Sequence, residues 1–203
     1  MPVVLRILVP SCGLALLAGC APPSPAKPAT AEVVADRLPP EAAGLRRRGE
    51  PYRILLAEFA SHLNGSLVVS YVGPDGTPTG TVYVGVDRHP GGADAGGDAA
   101  AAEFERRVAH VPGRADPRAG LAPRERVTLP VEGGGPVRCA RFAGRDARYV
   151  GMRVAEPFTM ETCVADVAGQ IVQVDVRHEG AAEPSADARA FAAAIVARLR
   201  RPE

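Results

Sequence analysis

Four histidines and four cysteines are the side chains best suited to chemistry in this chain of 203 residues. His62, His89, His110 and His178 fall on separate segments, so neither an H-E-x-x-H pattern nor a paired-histidine spacing offers a zinc site. His62 falls beside an apolar stripe, where a structural role is expected, and His89 and His178 sit in or beside loops, where solvent exposure is expected. No G-x-S-x-G nucleophile elbow and no phosphate-binding loop occurs. Ser24-Pro25-Ala26-Lys27 spells the S-x-x-K of penicillin-interacting enzymes, but that motif needs the first turn of a buried helix and here it lies among prolines. Asp94 and Asp98, in a Gly-rich loop over 90–98, invite a calcium reading. The EF-hand spacing is missing and no glutamate closes a site, so Asp98 reads instead as a helix N-cap. No catalytic residue, metal-ligand set or cofactor is therefore expected.

Of the cysteines, Cys20 says most. Arg6 precedes an apolar run over 7–19, which is too short for a bilayer core that needs about 20 residues and has the length of a signal-peptide core. The run ends in Leu17-Ala18-Gly19-Cys20, which resembles the lipobox of bacterial lipoproteins. The resemblance implies that the Cys20 thiol receives diacylglycerol and that the chain is cut just before it. Two or three acyl chains, at about 0.8 kcal/mol per buried methylene, then hold it on the membrane. The expected organisation is a signal peptide over 1–19, a lipid-anchored Pro/Ala-rich tether over 20–37 and one extracytoplasmic α+β domain over 38–203. The expected localisation is the cell membrane, on the side facing outside the cytoplasm. Cys12 would leave with the signal and Cys20 would be consumed by lipid. Cys139 and Cys163 remain, and in an oxidising compartment they are expected to form a disulfide. Their spacing is unlike C-x-x-C, and no third thiol is left to resolve an exchange, which argues for a structural bond over a redox role.

Composition narrows the partners. The 24 basic residues fall to 23 without Arg6, against 23 acidic ones that all follow Cys20. A near-neutral mature chain lacks the basic footprint of a nucleic-acid binder. With no Trp, four Tyr and five Phe, stacking platforms are scarce. The apolar content supports one core of ordinary size in roughly 150 residues.

The elements that must position these residues follow from pattern. Residues 21–30 favour polyproline II and would lift a domain off the headgroups. Order is expected near Leu38, with a lead-in segment to Leu45 and Arg46-Arg47-Arg48 as a solvated charge run. Leu55, Leu56, Phe59 and Leu63 recur at helical spacing before Asn64-Gly65. Residues 66–72 and 81–86 form a hairpin signal around the turn residues 74–80. A helix from Asp98 to about His110 stops before Pro112-Gly113, with Ala101, Phe104, Val108 and Val111 inward and Glu103, Arg106 and Arg107 in water. After a polar loop over 114–126 come strands at 127–131, 137–142, 149–154 and 161–167, expected to be antiparallel neighbours. In the strand over 170–177, Val172, Val174 and Val176 alternate with Gln173, Asp175 and Arg177, so one sheet face should be covered and the other partly wet. Ser185 caps a closing helix over 186–200, whose stripe is Ala188, Phe191, Ile195 and Leu199, with Arg189 on its outer face. The fold class is α+β: a mostly antiparallel sheet with helices packed on it, including this last one.

Val137-Arg138-Cys139, then Glu161-Thr162-Cys163-Val164-Ala165-Asp166, then a Val-rich strand and an Ala- and Arg-rich closing helix, resemble a group of actinobacterial membrane-anchored proteins and lipoproteins of unknown function. The order of strands, middle helix and terminal helix is more distantly similar to the PsbP and Mog1 class of α+β sandwiches. The resemblance implies a fold and an anchored setting and brings no activity with it. The expected role is a non-catalytic binding or accessory module of the cell envelope, with an envelope protein as possible partner and no nucleic acid. An extracytoplasmic hydrolase whose site is assembled from scattered residues is the alternative, and a plain spacer is not separable from the first reading by sequence.

Overall fold

The computed structural model describes residues 29–54, 63, 65–86, 98–114, 122–145, 157–180 and 185–201. Cys20, most of the tether, Leu55 to His62, His89, the greater part of the Gly-rich loop and the strand expected at 149–154 lie outside them.

Two antiparallel meanders build one open sheet. The first consists of β1 (Glu41–Ala42), β2 (Leu45–Arg53), β3 (Leu67–Val72) and β4 (Thr79–Val84); the second consists of β5 (Ala122–Leu129), β6 (Val137–Arg145), β7 (Pro157–Val167) and β8 (Gln170–Glu179). The strand order β1-β2-β3-β4-β8-β7-β6-β5 joins the halves by pairing the last strand of each meander, with Val82 opposite Val174. All pairs are antiparallel. Ala168 and Gly169 both take positive φ, of 51° and 80°, which fits a two-residue hairpin between β7 and β8. The Asp166 carboxylate accepts the Gly169 N–H at 3.1 Å.

Period-two alternation divides the sheet into two faces, and helices lie on both. On one face α3 (Ser185–Arg200) docks as expected: Ala188, Phe191, Ile195 and Leu199 are all buried against Tyr71, Val82, Val174, Val176, Cys139 and Cys163. Tyr71 and Phe191 meet edge to face with centroids 5.1 Å apart, and the Tyr71 hydroxyl donates to the Pro39 carbonyl at 2.7 Å. Gly80 makes this contact possible, because a Cβ there would lie 3.0 Å from both the Phe191 ring and the Leu45 side chain. At the far end of α3, Arg200 donates to the carbonyls of Val131, Gly135 and Asp166, tying the helix to the β5–β6 turn.

The same face corrects the start of the domain. Helix α1 (Ala31–Asp36), capped by Thr30, falls within the stretch expected to be tether, yet Val34 and Ala35 are buried in the core beside Leu38. Two apolar residues on one side of a six-residue helix are enough to dock it once a sheet is present, although that pattern is too short to register by itself. The Ala29 N–H donates to the Ala168 carbonyl, so the chain enters the domain beside the β7–β8 turn.

On the opposite face α2 (Ala99–Arg114) covers the second meander. Ala100, Phe104 and Val108 pack on Ala140, Phe142, Val164 and Ile171, with Leu63 and Val86 alongside. This face is therefore drier than the alternation in β8 implied, and Gln173 and Asp175 are buried. The helix also continues through Pro112 and Gly113 to Arg114, where a proline near a C-terminus forfeits one backbone bond without ending the helix. Strand β5 begins at Ala122, inside the loop expected over 114–126, and β6 extends to Arg145 and pairs directly with β7.

Candidate functional site

Three of the polar assemblies among the described residues bear on function. The first is under α3. Glu161, on β7, is 1% exposed, and its Oε1 accepts from Arg189 Nε at 2.8 Å while Arg189 Nη2 reaches Glu125 on β5 at 2.7 Å. Arg141, the cross-strand partner of both Glu125 and Glu161, lies 3.2 Å from the Glu125 carboxylate. Glu161 Oε2 has no hydrogen-bond partner. Burial pushes the Glu161 carboxyl above its ordinary range, and the Arg189 guanidinium only partly offsets this. Arg189 therefore is not on the outer face of the closing helix. Its stem spans from α3 to the sheet, and its head holds two carboxylates. Next to Glu161, Cys139 and Cys163 stand directly opposite each other on β6 and β7, with Cα atoms 4.0 Å apart and sulfurs at bonding distance, 2.10 Å. The expected pair is thus present, fully buried between sheet and helix. His178 belongs to strand β8 rather than a loop. Its Nε2 is buried without a partner, and burial lowers its pKa against the opposing pull of Asp187.

The second assembly is under α2. Asp175 accepts from Arg107 at 3.1 Å and from Gln173 Nε2 at 3.0 Å, so a carboxylate sealed beneath a helix is matched by a guanidinium sealed with it. Tyr83 lies beside them, its hydroxyl pKa driven up by burial and then by the Asp175 charge. Glu103 is buried and bonded to Arg106, and Asp98 both caps α2, through the Ala101 N–H at 3.0 Å, and holds Arg138. Glu103 and Arg107 are therefore not in water. A helix lying across a sheet wider than its apolar stripe must bury its flanking positions, and ion pairs fill them.

The third assembly is open. Helix α2 packs on β5, β6 and β7, and beyond it the same face of β2, β3 and β4 carries a cleft of about 510 Å³. Its floor holds Ser70, Val72, Thr79 and Thr81, and its wall is Arg48, Gly49, Glu50 and Tyr52. The wall exists because β2 is irregular: Arg48 opposes Ser70 and Tyr52 opposes Val68, four steps along β2 against two along β3. The surplus at Gly49-Glu50-Pro51 lifts the strand off the sheet, and Gly49 supplies the required positive φ of 72°. Tyr52 is left 56% exposed, a large apolar ring facing solvent. Sequence reading missed this site, since β2 has no hydrophobic alternation to announce it. The only available signal was Gly-Glu-Pro interrupting a run of arginines.

Among the described residues the one grouping of potential metal donors is Cys139, Glu161 and Cys163, and its two sulfurs are committed to each other. No helix among the described residues is long and apolar enough to cross a membrane. Comparison with protein-family models and with curated proteins finds no match for this chain.

Proposed function

We propose that this chain is a lipid-anchored binding or accessory module of the cell envelope, held by Cys20 and working through the cleft on β2, β3 and β4. The observation that carries the reading is the cleft itself, open on the sheet face beyond α2 and walled by the exposed Tyr52 ring. The chain enters at Ala29 beside the β7–β8 turn, and the Gly85 N–H bonds to Ile171 at that same end. The cleft runs along β3 and β4 from Tyr52, opposite Val68 and one step from that end, to Val72, Gly76 and Thr79 at the other. Five steps of strand from Val84 to Thr79 separate the two ends by roughly 17 Å. The far end of the cleft thus stands clear of the point where the described chain enters the domain. The Arg107–Asp175 and Arg189–Glu161 pairs under α2 and α3, by contrast, fasten helices to the sheet.

The test is photo-crosslinking from the anchored protein in intact cells. A photoreactive residue at Thr79 or Tyr52 should capture an envelope component, and one at Arg198, exposed on α3, should not. Adducts from Arg198 alone, or none from the cleft, would overturn the reading.

A further inference from the structure

The geometry points to a neutral saccharide as the occupant of the cleft, an inference that rests on the binding reading above. A sugar ring offers an apolar face of C–H groups and a rim of hydroxyls that both donate and accept hydrogen bonds. The cleft supplies the complement. The exposed Tyr52 ring gives a flat apolar wall, and the Tyr52, Ser70, Thr79 and Thr81 hydroxyls are donor-acceptors of the same kind. Arg48 and Glu50 stand on the same wall, one a donor-only group and the other an acceptor-only group. Within the lining their charges cancel, and Glu50 also has Arg47, just outside it, at 4.0 Å. A free anion or cation would meet one attractive and one repulsive partner, whereas a hydroxyl can donate to the carboxylate or accept from the guanidinium. Gly49 and Gly76 both have positive φ, and a Cβ at either would point into open space, so backbone there is exposed to close approach by a ligand. At about 510 Å³ the cleft falls within the range of roughly 300 to 1,000 Å³ typical of small-ligand sites, which suits one or two sugar rings better than a peptide or a duplex. The β2 distortion is what builds the site, since in a regular register Glu50 and not Tyr52 would stand opposite Val68.

The experiment is calorimetric titration of the full chain, in a detergent without a sugar headgroup, with maltotetraose and with mannotetraose. Saturable binding of at least one is expected. Tyr52→Ala should weaken it by about tenfold or more, in keeping with the weight exposed aromatics carry in binding sites, while Arg198→Ala leaves it unchanged. Tyr52 is exposed, so its truncation does not threaten folding, and Ser70→Ala gives a second variant on the floor. Absence of binding by both sugars, or binding unaffected by both cleft variants, overturns the saccharide assignment. If crosslinks from Thr79 and Tyr52 persist in that case, the binding module stands with a ligand of another class; if they are also absent, the module reading falls with it.

Discussion

Replacing Arg189 with alanine should destabilise the domain far more than a change on a polar helix surface ordinarily does. The guanidinium is the hydrogen-bonding partner of Glu161, which is 1% exposed and whose second oxygen already lacks one. Removing one member of a fully buried pair costs about 3 to 5 kcal/mol. Here the Arg189 side chain is 20% exposed and Glu161 can take up a proton, so about 2 to 4 kcal/mol is expected at neutral pH. In a domain of this size that corresponds to a melting temperature lower by roughly 5 to 15 °C. The sign of the pH dependence follows from the raised Glu161 pKa. In the folded protein the carboxyl holds its proton to higher pH than in the unfolded chain, so ionisation of Glu161 takes stability away as pH rises from its ordinary value through the raised one. Without Arg189 that penalty grows, and the deficit of the variant should be larger at pH 7 than at pH 5. Glu161→Gln in the Arg189→Ala background should recover part of the loss and flatten the pH dependence. Urea unfolding followed by circular dichroism at both pH values measures all three. A loss within half a kcal/mol at pH 7 would mean that Glu161 is not sealed under α3 and that the helix is docked some other way.

Phe191→Ala and Ile195→Ala each empty a fully buried site on α3 and should cost about 2 to 5 kcal/mol, read by the same unfolding curves. Gly80→Ala should cost about 1 to 3 kcal/mol, because its methyl would press on the Phe191 ring and Leu45, and thermal melts check it. Reduction of the Cys139–Cys163 bond, which closes a separation of 24 residues, should lower stability by about 3 to 4 kcal/mol, and alkylation of the folded protein without reductant should find neither thiol. Two alkylated cysteines would contradict the pairing.

What the sequence disclosed and what it hid follow from how each element earns its stability. The stripe of Phe191, Ile195 and Leu199 is legible because burial alone drives α3 onto the sheet, and burial leaves a period in the sequence. The cysteine pair was legible by elimination, with register then placing the two residues face to face. Strand β2 was not, because Leu45 to Arg53 is a largely exposed strand held by backbone bonds to β3, which leave no side-chain pattern. Arg189 looked like a solvent-facing arginine for a related reason. A helical wheel shows which side a residue leaves from, and a long side chain can return to the core if a carboxylate awaits it there. Glu161, a charge in the middle of a largely apolar strand, was the visible hint. The partly wet face expected from β8 is open only beyond α2, which covers Gln173 and Asp175 with Arg107, a contact spanning 68 positions. The cleft combines both difficulties, being a gap between the reach of α2 and an irregularity in β2.

Anchoring is the claim on which the setting of the cleft depends, and the mass of the N-terminal peptide of the membrane-extracted protein tests it most directly. The expected result is a mature chain beginning at Cys20 and carrying diacylglycerol on its sulfur, with Cys20→Ala left unprocessed or released from the membrane. An intact N-terminus at Met1, or a free thiol at Cys20 in the wild-type chain, would contradict it.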